Sequence, residues 1–121
     1  MFLLRRDHGI HSLPWYKLAG PKDVSRARDR TRRHWDVMRK RMGGEPFKAL
    51  QTRLREAGFR EFRGEPELFC WHPETGHWFF AETKRKDRLS DAQRRWFHVC
   101  REALGDLADL RVYRLVPTLS R

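Results

Sequence analysis

Glu67-Leu68-Phe69-Cys70-Trp71-His72-Pro73-Glu74-Thr75-Gly76-His77-Trp78-Phe79-Phe80-Ala81-Glu82-Thr83-Lys84 reads as two strands joined by a tight turn. Aromatic residues crowd both arms, and Pro73-Glu74-Thr75-Gly76 is a cluster of turn formers. A turn symmetric about Glu74 and Thr75 sets His72 against His77 and Glu67 against Glu82. Side chains alternate along a strand, so Glu82 and Lys84 share a face with Trp78 and Phe80, while Phe79, Ala81 and Thr83 point the other way. One face then carries Glu67, Glu82 and Lys84.

Opposed carboxylates among aromatic rings cost stability unless a cation bridges them. A hard divalent cation suits that role. Mg²⁺ takes one or two carboxylates, carbonyl oxygens, waters and phosphate oxygens, and a neighbouring Lys ammonium steadies phosphoryl charge or orients an attacking water. The plainer alternative is a solvated Glu-x-Lys pair on an exposed strand, a spacing common to many proteins; a bulge in the turn would also break the register.

Working outward, Phe47, Leu50, Leu54 and Ala57 share a face and predict a helix over 46–57, with Pro46 in its first turn, Gly58 as its stop and Glu45 at its N-terminal edge. A short strand is expected over Phe59–Arg63. After the hairpin, Ser90-Asp91-Ala92-Gln93 is a capping box opening a helix whose inner face carries Ala92, Trp96, Val99, Cys100 and Ala103. Arg111–Val116 reads as a last strand before Pro117. From residue 45 the order is helix, three strands, helix, strand, an α/β unit with a mixed central sheet.

Residues 1–20 show neither the helical nor the strand period and read as an irregular arm. Past Pro21 the stripe Val24, Ala27, Thr31, Trp35, Met38 and Met42, set among arginines, predicts a basic amphipathic helix over about 21–42 that ends at Gly43-Gly44. The expected division is an arm, 1–44, and one domain, 45–121. The stripe serves equally as a seam for a homodimer or as the underside of a nucleic-acid-binding helix.

The 121 residues hold 27 Lys/Arg against 16 Asp/Glu, a net charge of +11. Residues 1–44 take 12 of the basic and 4 of the acidic side chains, so the excess belongs mainly to the arm. A polyanionic partner follows economically: DNA, RNA or an anionic membrane surface, against the plainer reading of a solvated basic face. Cys70 and Cys100 have no paired spacing, and with His72, His77 and His98 they compose no zinc pattern, so ordinary packing is expected of them. Met1-Phe2-Leu3-Leu4-Arg5-Arg6 is too short an apolar run for a signal peptide, and no run of about 18 apolar residues occurs. A soluble, cytoplasmic protein without a membrane span is expected.

Three segments together carry a family resemblance. Gly64-Glu65-Pro66-Glu67-Leu68-Phe69, then Phe80-Ala81-Glu82-Thr83-Lys84, then Arg88-Leu89-Ser90-Asp91-Ala92-Gln93-Arg94-Arg95-Trp96 resemble the VRR-NUC nucleases of the PD-(D/E)xK superfamily. Glu45-Pro46-Phe47 through Phe59 is similar to that family's first helix, and Val112-Tyr113-Arg114 to its final strand. Residues 1–44 have no counterpart in the resemblance. It implies a restriction-endonuclease-like core and hydrolysis of DNA phosphodiesters, in duplex or branched DNA, with Mg²⁺ or Mn²⁺. It further implies that Glu45, Glu67, Glu82 and the Thr83 carbonyl bind the metal, that Lys84 assists the water, and that Gln93 stands where the family has an active-site Gln. The capping box explains Gln93 equally well. Glu56, the rival helix carboxylate, sits at a helix C-terminus, where an acid is disfavoured.

Glu67 departs from the family's usual Asp, and its extra methylene moves the carboxylate. That motivates an alternative, a catalytically weak or inactive nucleic-acid-binding module on the same fold; a protein-interaction domain using the Arg-rich helix is a further rival. Arg85, Lys86, Arg88, Arg94 and Arg95, with Arg32 and Arg33 of the basic helix, are the expected contacts to a substrate backbone. Trp15 and Trp35 are the candidates for base stacking, since Trp71, Trp78 and Trp96 fall on core or site-flanking positions.

Overall fold

The computed structural model describes residues 9–21, 24–60, 63–84 and 88–114. Strands β1 (His11–Pro14), β2 (Leu68–Trp71), β3 (Trp78–Lys84) and β4 (Leu110–Arg114) form one sheet in the order β1-β2-β3-β4. The first two pairings are antiparallel and β3–β4 is parallel. Helices α1 (Asp29–Met42), α2 (Gly44–Glu56) and α3 (Asp91–Leu104) complete a mixed α/β unit. The chain crosses from β3 to the parallel β4 through α3, as a parallel pair requires.

The hairpin has the register expected of its turn. Leu68 opposes Ala81 and Phe69 opposes Phe80, and the His72 amide donates to the His77 carbonyl at 2.8 Å. Both faces of β2 are buried. Phe69, Trp71, Trp78 and Phe80 join the main core with the inner faces of all three helices. On the opposite face Leu68, Cys70, Phe79 and Ala81 make a smaller cluster with Ile10, against which Tyr113 packs.

Phe59–Arg63 contributes no strand at its described residues, and Glu61 and Phe62 lie outside them. The Phe59 amide donates to Leu54 O, and Gly58 to Arg55 O, both at 3.0 Å. These bonds close α2 with a left-handed glycine, so that backbone serves the helix end and not a ladder. The sheet takes its further strand from the segment expected to be irregular: His11–Pro14 pairs with β2 along its length. Pro14, which has no amide hydrogen to donate, is tolerated on this edge strand.

The basic helix, expected from about residue 21, begins at Asp29, after a 3₁₀ turn at Val24–Arg26. Arg32 folds back on that turn, its guanidinium bonding Ser25 O and, at 3.0 Å, Ala27 O. The Arg28 backbone is extended, which keeps the helix from running upstream. The stripe Thr31, Trp35, Met38 and Met42 is buried in this chain's own core, so it offers no seam to a second copy. The sheet and core therefore draw on residues either side of position 44. No helix among the described residues is long and apolar enough to cross a membrane.

Candidate active site

Glu82 lies near the end of β3 and is buried, with 7% of its surface exposed. A carboxylate removed from water must have its oxygens satisfied, or its desolvation destabilises the fold. One oxygen accepts the Glu67 amide at 2.9 Å. The other accepts the Gln93 side-chain amide at 2.9 Å and lies 3.7 Å from Lys84 Nζ. Glu82 and Lys84 thus share a face, as strand alternation requires.

Gln93 caps its own helix and also reaches Glu82. Its amide oxygen accepts from Ser90 N at 2.9 Å while Ser90 Oγ accepts from Gln93 N at 3.1 Å, completing the capping box. The amide nitrogen that the box leaves over points at Glu82. A local helix-start signal and a long-range contact to the strand therefore use opposite ends of one side chain.

Glu67 departs from the expected arrangement. Its amide, not its carboxylate, faces Glu82; the carboxylate accepts from the Thr83 hydroxyl at 3.1 and 3.2 Å. Alternation assigns Thr83 to the opposite side of β3 from Glu82. Glu67 stands one residue outside β2, where the strand pleat no longer dictates its direction, and turning away relieves like-charge repulsion. Glu45 is not brought to this group. It lines a shallow depression with Lys48, Thr52, Arg53 and Ala103, at the C-terminal end of α3. Helices α2 and α3 run antiparallel, tied by Arg53 to Glu102 at 3.4 Å and by Arg95 to Ala57 O. At 1.5 Å per residue, the span of α3 from Gln93 to Ala103 puts Glu45 about 15 Å from the group. The Glu56 end of α2 is the nearer one. Among the described residues no three Asp, Glu, His or Cys side chains converge to hold an ion.

The loop leading into β2 is held by contacts that local sequence does not announce. Glu65 is 8% exposed and accepts the Leu18 and Lys17 amides at 2.8 and 3.0 Å. Burial pushes its pKa well above the usual carboxylate range, against the pull of those two amides. Fully buried Tyr16 donates to Pro66 O at 2.7 Å. Gly64, at φ +78°, lets the loop pass against Ala92 at the start of α3. The sequence signal available for Glu65 was its place in the Gly64-Glu65-Pro66-Glu67 motif.

Among the expected backbone contacts, Arg88, Arg94 and Arg33 are exposed. Arg94 pairs with Asp91 at 3.6 Å. Arg32 is engaged with its own turn, and Arg95 bonds Ala57 O and lies 4.7 Å over the Phe59 ring. Arg85 and Lys86 fall outside the described residues. Arg60 and Arg63, not anticipated, join Arg95, Phe59 and Ala92 around a pocket of about 410 Å³ beside the start of α3. Trp35 is buried and donates to Tyr16 O at 3.0 Å, which removes it as a stacking candidate; Trp15 is exposed.

The VRR-NUC domain family model matches residues 28–113, from the N-cap of α1 into β4. No curated protein and no solved structure matches the chain.

Proposed function

Because the chain belongs to the VRR-NUC domain family, a nuclease-type hydrolase acting on nucleic acid, we propose that it hydrolyses DNA phosphodiester bonds at Glu82 with a divalent metal. The observation that carries this reading is the Glu82 carboxylate itself, held by the Glu67 amide and Gln93, with Lys84 3.7 Å away. A buried carboxylate with one loosely paired ammonium is suited to take a further cation.

The donor chemistry fits Mg²⁺ or Mn²⁺: Glu82 and the Thr83 carbonyl offer oxygen alone, and such ions need only one or two carboxylates. Glu45 has no part in this set. A bound divalent ion supplies Lewis acidity toward the phosphoryl group and a water of lowered pKa. Gln93 fixes the Glu82 carboxylate in one orientation, so little reorganisation is left for the reaction step. Lys84 stands where it can neutralise charge building on the phosphoryl oxygens or orient the incoming water. Arg60, Arg63, Arg88 and Arg94 hold the substrate backbone near the same end of the sheet.

The test incubates the protein with supercoiled, linear, single-stranded and branched DNA in Mg²⁺, Mn²⁺ or EDTA, beside Glu82→Ala and Lys84→Ala. Cleavage that needs the metal and is lost in both variants is expected; cleavage surviving both sinks the assignment. A second reading, a binding module without turnover, draws on the Glu67 carboxylate bonding Thr83 and not facing Glu82. DNA binding with no cleavage under any metal selects it.

A further inference from the structure

Trp15, Lys17, Arg28, Arg30 and Thr31 line a pocket of about 300 Å³. Trp15 is 56% exposed, large and apolar, while Tyr16 beside it is fully buried. Trp15 and Lys17 have φ of 51° and 46°, the two non-glycine residues with positive φ among those described. Such a conformation costs an L-residue about 1–2 kcal/mol, and glycine or asparagine would adopt it more cheaply. The chain instead keeps an indole and an ammonium there. The left-handed backbone on either side of Tyr16 sends that phenol inward and leaves its two neighbours lining the pocket.

The pocket is anchored to the candidate active site. Pro14 opposes Leu68, and the next residues follow the loop before β2: Tyr16 bonds Pro66 O, and the Lys17 amide bonds Glu65. Trp15 therefore directly follows the last residue of β1 paired with β2, between Pro14 and the Tyr16 that holds Pro66. Across the pocket stands the start of α1, where Arg28, whose side chain has donors only, occupies the N-cap. The three cationic side chains that line the pocket favour an anion, and an exposed indole favours a flat π-system.

We propose that Trp15, Lys17, Arg28 and Arg30 form a subsite that stacks an unpaired nucleobase and holds its phosphate next to the phosphodiester presented to Glu82. The proposal rests on the nuclease reading for the identity of its substrate, and it narrows that substrate to DNA with an unpaired nucleotide beside the scissile bond. Bases within a continuous duplex have both faces covered by their neighbours, so only an unpaired base can lie on Trp15. Trp15 and Lys17 lie outside the stretch matched by the family model, which begins at Arg28.

The test measures fluorescence anisotropy of a labelled oligothymidylate and of a labelled blunt duplex of equal length, in EDTA. Stacking contributes about 1–3 kcal/mol per base, so Trp15→Ala should weaken oligothymidylate binding about 5- to 150-fold while duplex binding stays within about twofold. Trp15→Phe should recover most of the loss, which separates stacking from misfolding. Lys17→Ala and Arg30→Ala should each lower the salt slope on the single strand by about 0.7, while Trp15→Ala leaves it unchanged. Equal losses on both DNAs, or none, overturn the subsite. Cleavage by the unaltered protein in Mg²⁺ is followed in parallel. If it cuts no DNA, the nuclease reading fails while the binding result still decides the subsite; if it cuts and Trp15→Ala binds normally, the subsite alone fails.

Discussion

Gly64→Ala tests whether the β2 loop and α3 are packed as tightly as the site geometry requires. A Cβ at Gly64 would sit 2.7 Å from the Ala92 carbonyl oxygen and 2.9 Å from its carbon, and the residue has φ +78°. The left-handed conformation costs an L-residue about 1–2 kcal/mol, and overpacking against backbone adds about 1–3 kcal/mol. Gly76 separates the two contributions, since it has φ +79° but nothing within 4 Å of an added Cβ. Gly76→Ala should show the conformational part alone. In urea, with a slope of about 1–3 kcal/mol per molar, the midpoint of Gly64→Ala should fall about 0.3–3 M below that of Gly76→Ala. Cleavage should follow the same split. Ala92 directly precedes Gln93, so relief of the clash moves the amide that holds Glu82, and the folded Gly64→Ala protein should lose activity that Gly76→Ala keeps. Coincident urea midpoints for the two variants would refute the close approach and the positioning of α3 argued from it.

Gln93→Ala should lose both the cap and the Glu82 contact, costing about 1 kcal/mol of stability and at least tenfold in cleavage rate. Ser90→Ala should cost a similar stability with activity retained, and equal activities would mean that Gln93 only caps. Glu82→Gln preserves shape but not charge and should lower turnover about 10²-fold or more with the fold intact by circular dichroism; undiminished turnover removes Glu82 from the site. Glu65 has a folded pKa raised above its unfolded value near 4.3. The native state then binds its proton more tightly, so the stability Glu65 contributes is present below the unfolded pKa and falls as pH rises toward the folded one. Urea midpoints of Glu65→Gln should gain on those of the natural chain as pH is raised from about 4.5 to 8, and a pH-independent gap contradicts a raised pKa.

What could be read without the fold was whatever short-range geometry dictates. The turn at Pro73–Gly76 sets the hairpin register, which places Glu67 one position before Leu68, the partner of Ala81, and strand alternation pairs Glu82 with Lys84 on one face. Ser90 and Gln93 announce a helix start because both bonds of the capping box lie within one turn. The ordered motifs also identify the family, whose match takes in the hairpin and this helix. Other features had to wait for tertiary structure, because their energetics belong to groups far apart in the chain. His11–Pro14 is too short to show a period and becomes a strand only because β2 offers an unpaired edge. Glu45 looked well placed at a helix start, yet the antiparallel packing of α2 on α3 carries it to the far end. The hairpin opposed Glu67 to Glu82, but only the end of β2 and the Thr83 hydroxyl decided where the Glu67 carboxylate turned. The strand period determines backbone register, while a side chain just beyond the strand goes to whichever partner the assembled fold provides.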